Sequence, residues 1–288
     1  MITSSDIARD LVGMGVRAGD TLYVRSKASA VGRMAPPAGQ TLVAGLLEAV
    51  GPEGTIVVPA FTDPGFRWSR NKARFTPDQP PNTGVLSKIV LKQAGAFRSA
   101  HPTHSFAAIG PRAREILGDH DASKPAFHPM GRLIDLDASM ILLGCATDSP
   151  GFSTVHFVQN ELGLSSRHWT RFLYEVEVPG ADGTTRWHPS EDPGCSRGFD
   201  KMYRHYIARE NFTTGHVGAA YTILVRARGA YQCERDVLSR DPCALLCDRA
   251  DCVSCRILRA YNLGAIPAAL TRRVWRSMAG RPVRRADA

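Results

Sequence analysis

The stretch STVHFVQNE, residues 153–161, sets a histidine among hydroxyls, amides and one acid. An imidazole, with an unperturbed pKa near 6.5, is well suited to take a proton from an amine at neutral pH. His156 is therefore the first candidate for chemistry. If residues 156–161 are helical, Gln159 lies on the same face one turn on, where its amide would orient the ring. Without such surroundings a lone histidine in a mixed apolar segment is a structural residue. Cys145, at the end of an apolar run, would be a nucleophile only if a base lowered its pKa; otherwise it is a buried thiol.

A second group of reactive side chains lies near the C-terminus. Five of the seven cysteines fall in 233–255, and CALLCDRADCVSC places Cys243, Cys247, Cys252 and Cys255 as Cys-x3-Cys-x4-Cys-x2-Cys. In a reducing compartment this spacing argues for metal over disulfides. Four thiolates would close a structural zinc site or hold an iron–sulfur cluster. Reduced, partly buried thiols are the alternative.

The elements that must position these groups follow from periodicity. A helix over roughly 6–16 is capped by Ser4 or Ser5, and TLYVRS (21–26) has the alternation of a strand. QTLVAGLLEAV (40–50) is apolar at helical spacing and stops at Gly51, and GTIVVPA (54–60) is a buried strand. This strand–helix–strand order indicates an α/β core. Residues 62–81 lack a period and form a long excursion, rich in Pro, Arg and aromatics, that would contribute to a substrate pocket. A helix over about 83–95, the strand SFAAIG (105–110), a helix after Pro111 and the strand SMILLGC (139–145) follow. Residues 172–188 read as a hairpin turning at Asp182-Gly183, with helices near 198–209 and 229–239.

With 288 residues, 43% hydrophobic and 22% charged, the chain is a globular protein and not a disordered one. MITSSDIARDL has neither the basic nor the apolar region of a secretory signal. Runs such as MILLGCA are too short for a transmembrane segment, which needs about 20 residues. The expectation is a soluble, cytoplasmic protein. From Arg256 to Ala288 there are eight arginines against one acid, so seven of the nine net positive charges belong to this tail. Such a tail suits RNA, a carrier protein or an anionic surface, or is a solvated end. GMGVRAG (13–19) precedes a strand where a dinucleotide loop would follow one, and no Gly-x-Ser-x-Gly elbow is present.

Four stretches in order, GDTLYVRSKASAVG (19–32), GPEGTIVVPAFT (51–62), FRSAHPTHSFAAIGPRA (97–113) and MILLGCATDSPGFSTVHFVQNE (140–161), resemble the aminoglycoside 3-N-acetyltransferase family. Weaker similarity runs on through FDKMYRHY and TTGHVGAAY, to about residue 240. The resemblance implies an α/β fold of three layers, a mixed central sheet flanked by helices. It implies an N-acyltransferase using acetyl-coenzyme A, or another acyl-coenzyme A, as co-substrate, with a small-molecule amine as acceptor and no metal in the chemistry. Its presumed base corresponds to His156. Ser26 and nearby amides are candidates for steadying the oxyanion, and Arg25, Ser26, Arg98, Ser99, His101 and Ser105 for lining the coenzyme or acceptor site, with His104 beside them.

The chain departs from the family pattern at two positions. Gln159 stands where the family usually has a glutamate, and an amide cannot stabilise an imidazolium with a full charge; Asp148 or Glu161 are the acids that could substitute. Arg25 stands where the family usually has a histidine, and a fixed cation there favours an anionic group on donor or acceptor. Residues 1–240 are the acyltransferase-like domain, and 241–288 the cysteine-rich segment and basic tail. Two other readings stay open. The same fold could use a carrier-protein thioester or aminoacyl-tRNA docked on the tail, or the site could be a degenerate one in a binding or scaffold protein. A homodimer is a further partner arrangement that the sequence admits.

Overall fold

Thr3, one residue before the expected caps, starts the first helix. Its hydroxyl accepts the Asp6 amide at 3.2 Å, while the Asp6 carboxylate takes the Thr3 amide at 3.0 Å. This reciprocal pair satisfies two of the free donors of helix α1 (Ser4–Gly13). The computed structural model describes residues 1–71, 73–164, 167–180, 183–191 and 194–262.

The apolar runs become the strands that the pattern demands. Strands β1 (Thr21–Ser26) and β2 (Thr55–Pro59) flank helix α2 (Ala38–Val50), which Gly51 ends. Strand β3 (Gly65–Phe66), helix α3 (Val85–Val90) and strands β4 (Phe97–Arg98) and β5 (Phe106–Ile109) follow. Helices α4 (Ala113–Leu117) and α5 (His128–Asp135) lead to β6 (Ser139–Leu143) and then to α6 (Thr154–Glu161). Next come α7 (Arg167–Leu173), β7 (Tyr174–Pro179), β8 (Thr185–Pro189), a 3-10 turn Phe199–Met202 and α8 (Tyr203–Ile207). The chain continues through β9 (Thr213–Val217), β10 (Ala220–Arg226), α9 (Ala227–Arg240) and α10 (Val253–Asn262).

Seven strands form one sheet in the order β4-β5-β2-β1-β6-β10-β9. β1 runs parallel to β2 and β6, with Leu22 opposite Ile56 and Val24 opposite Ile141, while β5 and β10 pair antiparallel at either side. The sheet is thus mixed, as expected. Strand alternation builds the two faces. Leu22, Val24, Ile56 and Val58 point to the α1–α2 layer, and Tyr23, Val57, Met140 and Leu142 point to the α5, α6 and α9 layer. The result is a three-layer α/β sandwich. Gly45 lets α1 and α2 close: a Cβ there would sit 2.6 Å from Ile7 Cβ.

Several expectations need adjustment. The third helix is short, Val85–Val90, and the 62–81 excursion contains β3, which joins β7 and β8 in a separate three-stranded sheet. Residues 213–226, not read as strands, form the β9–β10 hairpin that completes the main sheet beside β6. Asp182, half of the expected hairpin turn, lies outside the described residues. Among the described residues no helix is long and apolar enough to cross a membrane.

Candidate functional site

The parallel strands β1, β2 and β6 end on one edge of the sheet, where backbone leaves the ladder and side chains become free for function. A cavity of about 700 Å³ opens there, within the range of small-molecule sites. Its wall includes Arg25 and Ser26 from the end of β1, Phe61 after β2, Ser149 and Ser153 after β6, and His156 on the first turn of α6. Helix α6 is aimed by its start: Ser153 Oγ lies 2.7 Å from the buried Tyr23 hydroxyl. Gly151 (φ +74°) packs on Phe199, which leaves no room for a Cβ.

His156 is half-buried and faces this cavity. Its ring lies between Phe127 and Phe199, with centroids at 5.0 and 4.8 Å. Nδ1 is 3.0 Å from Gln159 Oε1. A carbonyl oxygen only accepts, so Nδ1 carries the proton and the lone pair sits on Nε2. Burial pushes the pKa of the ring down to about 4; the Gln159 hydrogen bond pulls it up, and the Arg25 charge lowers it further. At neutral pH the ring is therefore an unprotonated base.

The expected substitute acids sit elsewhere. Asp148 lines the cavity but pairs with Lys27, and Glu161 interacts with Tyr231. A third acid, Glu234, is fully buried behind α6, where Oε1 accepts from the Thr154 and Tyr206 hydroxyls. Burial raises its pKa to about 7.

Arg25 reaches across to the β6–α6 loop, where it donates to Gly151 O at 2.6 Å and to Ser149 Oγ. Its cation is thus held by neutral groups and braces the loop that leads into the helix bearing His156. Ser26 also lines the cavity, and its Oγ is buried without a hydrogen-bond partner among the described residues. Such a hydroxyl is costly unless something else claims it. Cys145 lies on the wall too, but burial raises its pKa and its thiol points to Arg25 O at 3.5 Å. It has the character of a structural thiol.

Four of the residues expected at the coenzyme site brace the cavity from behind. Arg98 donates to Ser105 Oγ (3.0 Å), Pro77 O (3.1 Å), Gln79 O, Ala60 O (3.0 Å) and Thr62 Oγ1 (3.3 Å), which leaves it no free edge. Ser105 Oγ also donates to Ala60 O at 2.5 Å. Ser99 Oγ accepts the Phe106 amide at 2.8 Å and meets His120 Nδ1 at 3.0 Å. His101 is fully buried, and its Nδ1 accepts the amides of Thr103 and His104 at 3.3 and 3.0 Å. These groups hold the HPTHS turn in shape. Its product is His104, itself buried, which lines the cavity beside Phe61 and Phe127.

The excursion 62–81 also differs from expectation. Arg67 pairs with Glu175 on β7 at 3.0 Å, Phe75 is buried, and Trp68 is 65% exposed; the cavity takes Phe61 and residues 83–87 instead. Cys247, Cys252 and Cys255 come together as expected, but the fourth sulfur is Cys195, not Cys243. Cys243 packs beside them in the same small apolar cluster. Cys195 stands in DPGCSRG with no partner nearby in sequence, so only the fold reveals it. Of the basic tail 256–288, where the carrier-protein or RNA contact was expected, Arg256 and Arg259 are exposed on α10, and residues 263–288 lie outside the described residues.

Residues 23–239 match the family model described as aminoglycoside 3-N-acetyltransferase. Aminoglycoside N(3)-acetyltransferase III from Salmonella sp. is 30% identical over 209 residues, 67% of this chain and 71% of that protein. The chain superposes with a TM-score of 0.73 on the crystal structure of apo aminoglycoside acetyltransferase AAC(3)-IVa. That protein is 26% identical, and the match covers 90% of this chain and 96% of that one. AAC-IIIb, solved as a binary complex with CoASH, shares the fold at a TM-score of 0.67 and 23% identity, over 83% of this chain and 96% of that one.

Proposed function

The chain belongs to the aminoglycoside 3-N-acetyltransferase family, and from that premise we propose that it moves an acetyl or other small acyl group from a coenzyme A thioester to a primary amine of an amino sugar or natural product. The observation that carries the reading is His156: a neutral imidazole on the cavity wall, with its Nδ1 proton held by Gln159.

The chemistry is direct transfer. The amine nitrogen attacks the thioester carbonyl while Nε2 of His156 takes the departing N–H proton. The carbonyl π electrons become an oxyanion, which the Ser26 hydroxyl and nearby backbone amides steady. As the carbonyl re-forms, the C–S bond breaks and the thiolate of coenzyme A receives the proton from the imidazolium, so the ring ends neutral. No carboxylate faces the ring among the described residues, and Arg25 opposes its cation. The imidazolium is therefore short-lived, with proton pick-up coupled closely to attack. A wall bearing Arg25 suits a neutral or anionic acceptor better than a polycation.

Incubation with acetyl-coenzyme A and a panel of amines, with release of free thiol as the readout, tests this for wild type and His156→Ala. The variant is expected to lose about 10²–10⁴-fold in kcat, the usual worth of a general base. Equal turnover by the two proteins sinks the assigned base. Failure of wild type to bind coenzyme A by calorimetry sinks the coenzyme A reading and leaves an enzyme with a carrier-protein or aminoacyl-tRNA donor, or a binding or scaffold protein.

A further inference from the structure

Two segments far apart in sequence deliver four sulfurs to one point. Cys195 comes from the loop after β8, and Cys247, Cys252 and Cys255 come from the segment around the start of α10. All four Sγ atoms lie within 4.8 Å of one another. A single tetrahedral zinc with Zn–S bonds near 2.3 Å places its sulfurs about 3.8 Å apart, so a small inward movement closes the shell. A cluster of two or four irons would hold the thiolates further from one another.

The surroundings are those of a metal site and not of four idle thiols. Cys247 and Cys255 are buried, and Leu246 and Leu258 shield them. The Cys247 amide donates to Cys255 Sγ, and the Arg197 amide to Cys195 Sγ, each at 3.4 Å. Amide-to-sulfur bonds of this kind orient ligands and offset thiolate charge. Lys201 braces the same turn by donating to Leu246 O at 2.8 Å and pairing with Asp248 at 2.7 Å.

We infer that Cys195, Cys247, Cys252 and Cys255 bind one structural zinc ion, and that this ion fixes the loop 194–199 that closes the cavity. Gly194 and Ser196, on either side of Cys195, are part of the cavity wall. Phe199, four residues beyond Cys195, packs on the His156 ring and on Gly151. The zinc thus ties the C-terminal segment to the part of the cavity wall beside His156. Binding releases the thiol protons to solvent, so occupancy strengthens as pH rises.

Elemental analysis of the full chain, purified without chelators, tests the assignment independently of any catalytic activity. Wild type is expected to carry about one zinc per chain, and Cys195→Ser or Cys252→Ser to lose at least about four-fifths of it. Cys243→Ser is expected to keep it. Because the serine variants could fail to fold, wild type is also titrated with a mercurial: four thiols should react per zinc released. Loading with cobalt(II) should give the visible bands of a tetrahedral thiolate site. Zinc-free wild type, iron in place of zinc, a disulfide between any two of the four, or loss of metal from Cys243→Ser each overturns the proposal. Hydrogen exchange then reads the second half. Zinc removal should accelerate exchange at 194–199 and leave the α1–α2 face unchanged; equal rates at 194–199 would show that the ion does not hold the loop.

Discussion

His156 Nδ1 and Gln159 Oε1 face each other at 3.0 Å across one turn of α6. The amide does half the work of a carboxylate: it fixes which nitrogen carries the proton but adds no charge to stabilise the imidazolium. The low basicity of the ring follows from its burial, which the Gln159 hydrogen bond only partly offsets and to which the Arg25 charge adds.

Gln159→Glu therefore separates the two effects. The added negative charge should raise the His156 pKa, and the acidic limb of kcat should move up by at least about one pH unit. Wild type should hold its kcat from pH 8 down to about 5.5, because the ring does not charge until about 4. Profiles measured from pH 8 down to about pH 4 check this, and superimposable acidic limbs would deny the ring its part in the chemistry.

Ser26 offers a cleaner test of the oxyanion assignment than most hydroxyls do. Its Oγ has no partner to leave stranded among the described residues, so Ser26→Ala should leave thermal stability unchanged or raise it. If the hydroxyl donates to the developing oxyanion, kcat should still fall about 10²-fold. A variant with full activity would assign the oxyanion to backbone amides alone.

Arg98 should behave in the opposite way. Truncation to alanine strands the carbonyls of Ala60, Pro77 and Gln79 around a partly buried gap. The expected cost is about 3 kcal/mol, or roughly a 5–10 °C fall in Tm, with the Kd for coenzyme A changed little at a temperature where the variant is folded. Scanning calorimetry and binding calorimetry read the two quantities separately. A stable variant that had lost coenzyme affinity would return Arg98 to the binding site.

The physical reasons for what the sequence revealed are uneven. β1, β2, β5 and β6 were legible because each is an apolar run bounded by turn residues, and His156 with Gln159 was legible because helical spacing alone sets an i, i+3 pair. β9 escaped because TTGHV mixes small and polar residues and takes its strand character from pairing with β10, whereas the run TILV of β10 (AYTILVR) has the apolar, β-branched make-up of a strand. Arg98, Ser99, His101 and Ser105 carried the right chemistry at the right motif, but their partners are carbonyls and amides that only the folded turn brings near. Cys195 was invisible for the same reason. Its three companions lie 52–60 residues later in the chain, and no spacing rule joins them.

The buried histidines and Glu234 set opposing pH dependences that the fold must balance. Burial depresses His104 to about 3 and His120 and His156 to about 4, below the unfolded value of 6.5. The unfolded chain therefore binds more protons at mildly acid pH. Stability from these rings is complete above about pH 6.5 and falls as the pH drops toward 4, by about 2 kcal/mol per ring at pH 5. Glu234 runs the other way, because its folded pKa of about 7 exceeds the unfolded 4.5. Its contribution is intact below pH 4.5 and is lost as the pH rises to 7, about 3 kcal/mol in all. Urea midpoints should accordingly fall steeply from pH 7 to pH 5 in wild type, since three rings outweigh one acid. Glu234→Gln keeps an acceptor for Thr154 and Tyr206 but cannot ionise. Its stability relative to wild type should therefore be greater at pH 8 than at pH 5, and a difference independent of pH would mean that Glu234 does not hold its proton in the folded protein.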